Sequence, residues 1–415
     1  MSNLNVLFLS QIVPYPPHGG VLQRGFNLVR ELGRRCNVHL LAFVHPDALP
    51  DANTLEASRA ALGPFCKTIE YLPLWVKTSR VALGSALAMS AWSPSTPFSV
   101  IAHRSGAFKR RVDEMLRMHR FDMIHVDTIA LSQFVDSTGS VATALTHHNI
   151  ESQLMSRRAS VEPRWYARGF LAREASKLKQ LEIEASPRFG INIVMSDQDG
   201  AILREMAPGV RLAVVPNGVD TTYFQPDRGE SETHALIYTG GMNMFANRDA
   251  VMHFLRSMWP AIRQQVPGAR FFAVGQDPPP ELRDLARGDS GIEVTGYVSD
   301  IRPYVRRAAV YVVPLRVGGG TRLKVLDAMA LGKALVSTSI GCEGLDVTPG
   351  EHLLVADTAE DFANHVVALL RDPARRRQLG TAARHLVTTR YAWEIVGDQL
   401  LDAYDQAIAA RGAGR

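Results

Sequence analysis

Two basic side chains stand one residue apart behind a run of glycines in Pro314-Leu315-Arg316-Val317-Gly318-Gly319-Gly320-Thr321-Arg322-Leu323-Lys324-Val325-Leu326-Asp327-Ala328-Met329-Ala330. The apolar run at 309–313 predicts a buried strand feeding this loop, and a helix is predicted to carry Thr321, Arg322 and Lys324 in its first turns. Residues without side chains let a ligand approach the backbone, and the orphan N–H groups and dipole of a helix start favour an anion. With Arg322 and Lys324 adding fixed positive charge, a phosphate or diphosphate suits the loop. A simple tight turn is the alternative.

Four other stretches could meet a ligand. Pro16-Pro17-His18-Gly19-Gly20 places two prolines and two glycines before a predicted helix, a second phosphate-facing candidate or a structural turn. It is not the G-x-G-x-x-G pattern, which disfavours a dinucleotide. Thr146-His147-His148-Asn149-Ile150-Glu151 sets two histidines at the carboxyl end of a predicted strand, where a doubly wound domain exposes its functional groups. A histidine here could orient a substrate, and Glu151 could orient the histidine; partly buried, satisfied histidines are the alternative. Two adjacent histidines without a Cys or carboxylate cluster do not make a metal site, and none is assigned. Thr239-Gly240-Gly241-Met242 and Thr295-Gly296-Tyr297-Val298-Ser299-Asp300 follow predicted strands of the second half, and their backbone could meet a nucleobase edge. Ser299 or Asp300 acting as an ordinary helix N-cap is equally compatible. Ser196 reads as an N-cap only.

The elements that must position these loops alternate. Strands are predicted at 5–10, 38–44, 121–126, 141–146 and 191–195, then at 235–239, 270–274, 292–295, 309–313, 334–338 and 353–355. Continuous apolar runs of this kind suit parallel sheets covered on both faces. Helical spacing is clear at Leu22, Phe26, Val29 and Leu32 after the first strand, the pattern of a Rossmann-like unit. Val214-Val215-Pro216-Asn217-Gly218-Val219-Asp220 reads as a strand running into a turn, and residues 225–233 as a polar interdomain linker. Two α/β units with a cleft between them are expected from 415 residues. Trp393, Val396, Leu400, Tyr404 and Ile408 predict a last helix that packs across a neighbouring surface.

Hydrophobic content of 46% and charged content of 21% are those of an ordinary globular protein. Cys36, Cys66 and Cys342 are far apart and in no metal-ligand spacing, which suggests a reducing compartment. No basic segment precedes the first strand, so a signal peptide is not expected. The net charge of +5 is concentrated: six Lys/Arg against two carboxylates in residues 104–120, and seven against two in residues 156–180. Residues 81–102 carry no charge at all, but Pro94 and Pro97 interrupt them and the apolar part is too short to cross a bilayer. They read either as an interfacial segment or as a buried helix plus loop. With the basic runs beside them, docking on an anionic membrane stands against a merely solvated basic face.

In order and spacing, these motifs resemble the retaining glycosyltransferases of the GT-B fold, family four (glycosyltransferase group 1 type). The resemblance is carried by Pro16 to Gly20, His148-Asn149-Ile150-Glu151, Pro216-Asn217-Gly218-Val219-Asp220, Val274-Gly275, Val294 to Val298, the glycine loop with Asp327-Ala328-Met329-Ala330, and Trp393. It implies an α/β GT-B architecture, two Rossmann-like domains facing across a cleft. Residues 1–220 would bind the acceptor, 221–390 the nucleotide-diphospho-sugar, and a last helix at 391–415 would return to the first domain. The implied reaction moves a sugar from a UDP- or GDP-linked donor to a glycan or lipid-linked acceptor with retention, in cell-surface polysaccharide or glycolipid biosynthesis. By this carry-over His148, Arg322 and Lys324 are catalytic, with His147 the alternative if the register slips by one. Gly19, Gly20, Gly241, Gly320 and Thr321 lie near the diphosphate, Gly296 and Val298 near the base, and Asp327 at the ribose. No metal, no cofactor beyond the donor and no nucleic-acid partner are implied. The setting would be cytoplasmic, including the inner face of the membrane.

Two departures stand out. The family's Glu-x7-Glu becomes Gly319 and Asp327, which removes the first carboxylate and shortens the second. The usual Arg and Lys after the first strand of the second domain are not evident, since Met242 to Arg248 offers only Arg248, and Arg322 and Lys324 could substitute for that pair. A nucleotide-sugar 2-epimerase of the same architecture, or a non-catalytic sugar-nucleotide-binding relative, are the competing readings.

Overall fold

The apolar runs form two parallel sheets. The structure, a computed structural model, describes residues 4–17, 19–46, 51–136, 139–226, 232–318 and 322–413. Among these, β1 (Asn5–Ser10), β2 (Asn37–Val44), β3 (Thr68–Pro73), β4 (Met123–Val126), β5 (Ala142–His147), β6 (Ile191–Val194) and β7 (Leu212–Val214) make a seven-stranded sheet in the order β3-β2-β1-β4-β5-β6-β7. The second sheet holds β8 (Glu232–Thr239), β9 (Arg270–Val274), β10 (Ile292–Gly296), β11 (Ala308–Val313), β12 (Ala334–Ser337) and β13 (Leu354–Val355), ordered β10-β9-β8-β11-β12-β13. Central strands such as β11 are buried throughout, as their unbroken apolar sequence requires. The sequence reading missed β3: its residues Thr-Ile-Glu-Tyr-Leu-Pro are half-buried at the sheet edge and present no continuous apolar run.

Both sheets are doubly wound, with the strand order reversing between β1 and β4 in the first and between β8 and β11 in the second. Loops leaving the carboxyl ends of strands diverge at such a point and leave a crevice for ligand.

The chain divides into two units, Met1–Pro216 with Val396–Arg415, and Asn217–Ile395. In the first, buried Arg24 donates to the carbonyls of Val215 and Pro216 at 2.9 and 2.6 Å, fixing the end of that segment. In the second, Gly218 lies against Trp393, and a Cβ at 218 would stand 2.6 Å from the indole ring. The amide of Val219 donates to Tyr391 O at 2.7 Å beside it. This close approach is why the Pro-Asn-Gly turn needs its glycine. The division after Pro216 precedes the polar stretch 225–233, of which 227–231 lie outside the described residues.

The last helix, Trp393–Ala413, begins in the second unit and from Val396 onward belongs to the first. There Tyr404 Oη meets His125 Nδ1 at 2.6 Å, and Thr146 Oγ1 meets His125 Nε2 at 3.0 Å. Gly397 lies close enough to Glu31 that a Cβ would stand 2.7 Å from its side chain.

Candidate active site

At the switch point of the second sheet, β8 ends in Gly240-Gly241. Gly240 has φ +152° and Gly275, after β9, has φ +157°; a Cβ on Gly275 would collide with Gly240 O. The backbone of Gly240 closes the space at Gly275, and the Asn247 side chain lies 2.9 Å from where a Cβ on Gly240 would stand, so neither position has room for a side chain. Asn247 then braces the loop: its Nδ2 donates to Gly241 O at 2.9 Å, and its Oδ1 accepts from Tyr238 Oη at 2.7 Å.

Lys324 enters this same cluster from the neighbouring strand's loop. It lies on the helix Leu323–Ala330 after β11, and its Nζ donates to Tyr238 Oη and Asn247 Oδ1, both at 2.8 Å. Nζ also sits 4.2 Å from the centroid of the Tyr238 ring, in cation–π contact. A Cβ on Gly240 would stand 2.6 Å from that ammonium. Among the described residues two of its three N–H donors are used, and the third remains for a ligand. Burial, reinforced by nearby Arg322 and opposed by Asp327, brings the ammonium down to about 7.

Arg322, the residue before that helix, folds its guanidinium over Gly318, where φ is +136° and a Cβ would stand 2.6 Å from Nη2. Asp327, one turn beyond Lys324, is raised to about 8 by burial, with Lys324 pulling the other way. Its Oδ1 has no hydrogen-bond partner among the described residues. Thr239 Oγ1 and Tyr311 Oη, 2.5 Å apart, lie beneath, and the field of Asp327 reaches Tyr311. A buried carboxyl with an unsatisfied oxygen is suited to a ligand hydroxyl.

The remaining second-unit candidates take different places. Gly296 ends β10 with φ +71°, and its carbonyl accepts from Gly275 N at 3.1 Å. The Val298 side chain packs against the core of the unit while Tyr297 is exposed. Asp300 accepts from the Arg302 amide at 2.9 Å from the position before the N-cap, which is Ile301. Gly319, Gly320 and Thr321 lie outside the described residues, as does His18.

In the first unit, Gly19 has φ +88° and precedes the helix Gly20–Gly33; both glycines are exposed, with nothing in reach of a Cβ. At the β1/β4 switch point stands Asp127, buried, with Oδ2 3.4 Å from Ser10 Oγ. His148 lies just past the end of β5, with Nε2 3.3 Å from Asp127 Oδ1. Neither of those two atoms has a hydrogen-bond partner among the described residues, so the contact between them is one of charge proximity. Buried Arg24 is brought down to about 10 by desolvation, and the charge of Asp127 supports its cation.

His147 is a core residue: it ends β5, its Nε2 meets Asn192 Oδ1 at 3.0 Å, and burial lowers it to about 4. Asp127 stands beside the His148 imidazole, and Glu151, raised by burial, also feels the charge of His148, which pulls it the other way. Asp127, Tyr238 and Asn247 were all missed in the sequence. The signal for Asp127 was its place directly after an apolar strand; Tyr238 and Asn247 carried none, because only the fold brings Lys324 to them.

Comparison with known proteins gives one consistent result. The family described as Glycosyltransferase Family 4 matches residues 18–223, and Glycosyl transferases group 1 matches residues 233–372. A GDP-mannose-dependent alpha-(1-6)-phosphatidylinositol monomannoside mannosyltransferase of Mycobacterium tuberculosis is 30% identical over 229 residues, 49% of this chain and 58% of that protein. A phosphatidyl-myo-inositol mannosyltransferase of Mycolicibacterium smegmatis is 26% identical over 213 residues, 49% of this chain and 54% of that one. The chain thus spans little more than half the length of these relatives. Among solved structures, the sucrose-phosphate synthase of Thermosynechococcus elongatus superposes with a TM-score of 0.70 at 20% identity, covering 98% of this chain and 100% of that one. Anabaena Alr3699/HepE in complex with UDP gives 0.66 at 12% identity, covering 97% and 100%. These structural likenesses concern the fold alone. The two family matches, the doubly wound sheets and the returning last helix agree, and the chain belongs to glycosyltransferase family 4, of the GT-B fold.

Proposed function

We propose that the protein transfers a sugar from a nucleotide-diphospho-sugar to a glycan or lipid-linked acceptor, with retention of anomeric configuration, in glycolipid or cell-surface polysaccharide synthesis. We assign the donor to residues 221–390 and the acceptor to residues 1–220, with the helix at 391–415 returning to the latter. The observation that carries this reading is Lys324 Nζ, held 2.8 Å from both Tyr238 Oη and Asn247 Oδ1 at a strand-order switch point. A cation fixed by two neutral acceptors keeps its charge available for an outside anion, and positioned cations stabilise a leaving diphosphate as its charge develops. Arg322 supplies the second cation, Gly19, Gly20, Gly241, Gly320 and Thr321 the backbone near the phosphates, Gly296 and Val298 the base-facing backbone, and Asp327 the ribose contact. His148, oriented by Asp127, is assigned to the transferred sugar.

The relatives suggest which donors to test first. GDP-mannose dependence is stated for the mycobacterial mannosyltransferase, and UDP was bound to the Anabaena protein. GDP-mannose is therefore the first donor to assay and UDP-glucose the second. A phosphatidylinositol-like acceptor would place the enzyme at the cytoplasmic face of a membrane. Turnover of a donor panel, read as nucleotide release with and without a lipid extract, tests the reaction, and the anomeric coupling in the product tests retention. Sugar interconversion without acceptor would replace this reading with epimerisation.

A further inference from the structure

The uncharged segment at 81–102 divides in two. The helix Phe98–Ala102 is largely buried, but the helix Arg80–Trp92 buries only Ala86 and Ser90. Its other apolar side chains face water: Val81 is 78% exposed and Trp92 88%, with Leu83, Leu87 and Met89 exposed between them. An apolar surface of this extent on a folded unit marks an interaction site.

The helix is held from beneath. Ser90 Oγ donates to Glu174 Oε1 at 2.7 Å, and Lys177 Nζ donates to Ser90 O at 2.6 Å and to the same carboxylate at 2.7 Å. Arg173 reaches Ser93 O at 3.3 Å. A buried ion pair of the helix Trp165–Ala185 thus anchors the inner face, and the apolar outer face stays presented. The anchoring helix adds its own amphipathic end: Trp165 is 82% exposed and Tyr166 59%. Arg164 and Arg168 flank them, with Glu162 pairing Arg164, and Lys77 and Arg80 lead into the other helix.

Exposed tryptophans among arginines match the boundary of a bilayer, where indole rings sit at headgroup level and guanidinium groups meet phosphates. Among the described residues no helix is long and apolar enough to cross a membrane. We propose that the outer face of Arg80–Trp92, with Trp165 and Tyr166, docks this protein on a bilayer rich in anionic lipid, lying in the headgroup region. The basic run at 104–120 contributes less than its composition implies, because Lys109 pairs with Asp113 and Arg111 with Glu70 and Glu114. The docking rests on the proposed reaction only for its purpose, bringing the enzyme to a lipid-linked acceptor.

The test is co-sedimentation of the full chain with sugar-free vesicles of phosphatidylcholine alone, or with about 30% phosphatidylglycerol, at low and high salt. Anionic vesicles should retain the protein, and Leu87→Glu with Trp92→Glu should lower the partition by about tenfold or more while nucleotide-dependent thermal stabilisation is unchanged. Brominated lipid should quench the fluorescence of the parent protein but not of a Trp92→Phe, Trp165→Phe variant, which keeps the face apolar and reads contact directly. Binding indifferent to lipid charge, salt and these substitutions would overturn the proposal. So would a parent dimer that the glutamate variant splits into monomers while neither form binds vesicles. Since the vesicles carry no donor or acceptor, failure here and failure of the transfer reaction are separate results.

Discussion

Lys324 Nζ donates to Asn247 Oδ1 at 2.8 Å, although 77 residues separate them in the chain. One residue follows β11 and the other follows β8, the two strands that flank the reversal in the second sheet. Lys324 thereby brings a cation to the loop after β8 from the next strand over. Asn247 in turn fixes Gly241 O, so the charge and the glycine backbone are one construction.

Lys324→Met should therefore abolish most transfer. Removing one prepositioned donor at a developing anion typically costs about a hundred- to a thousandfold in rate. Asn247→Ala leaves the ammonium in place but frees it to move, and a smaller loss, about tenfold, is expected. Initial rates with saturating donor and nucleotide-dependent thermal shifts separate the two, since only Lys324→Met should also weaken nucleotide binding strongly.

Nucleotide affinity should fall as pH rises from about 7 to about 9. The free protein holds Lys324 down at about 7 and Asp327 up at about 8, so raising the pH removes a positive charge and then adds a negative one. Both changes oppose an anionic ligand, and binding at neutral pH should take up protons. Calorimetry in buffers of different ionisation enthalpy measures that uptake, which Lys324→Met should diminish; proton release on binding would contradict the assignment.

Asp127 and His148 should behave as a unit. Asp127→Asn keeps the shape but withdraws the charge 3.3 Å from the imidazole, and turnover should drop by about a hundredfold with nucleotide binding intact. His148→Ala should cost a similar amount and the double variant little more, because coupled groups are not additive. Fully additive losses would mean that the two act independently.

Acid should destabilise the first unit through its buried histidines. His125 and His147 are held neutral by burial, at about 3 and about 4, against an unfolded value of 6.5. The stability this represents is present above 6.5 and is lost as the pH falls through that window, because the unfolded chain binds protons that the native one cannot. Two such groups contribute a slope of about 3 kcal/mol per pH unit in its middle. Urea unfolding followed across the window measures the slope, and His147→Gln should remove about half of this contribution.

Gly218→Ala should cost about 2 kcal/mol, the usual penalty for overpacking, because the added methyl meets the Trp393 ring at 2.6 Å. A second substitution, Trp393→Leu, should give part of that back, which thermal unfolding of the single and double variants would reveal.

Much of this molecule was legible before any coordinates. Continuous apolar runs announced the parallel strands because a strand buried on both faces has no polar side to alternate with, and all eleven predicted strands lie within about three residues of their observed bounds. Glycines at Gly240 and Gly275 marked close backbone approach for the same local reason. The half-buried edge strand Thr68–Pro73 gave no such signal. What only tertiary structure decided were relations between residues distant in the chain: Asp127 beside His148, Lys324 between Tyr238 and Asn247, Trp393 against Gly218. It also decided that Arg80–Trp92 presents its apolar side chains outward, since composition records how apolar a segment is but not whether neighbours cover it. Local spacing specifies an element and the end of a strand where chemistry can occur; which side chains meet there depends on strand order, and that is set by the packing of the whole sheet.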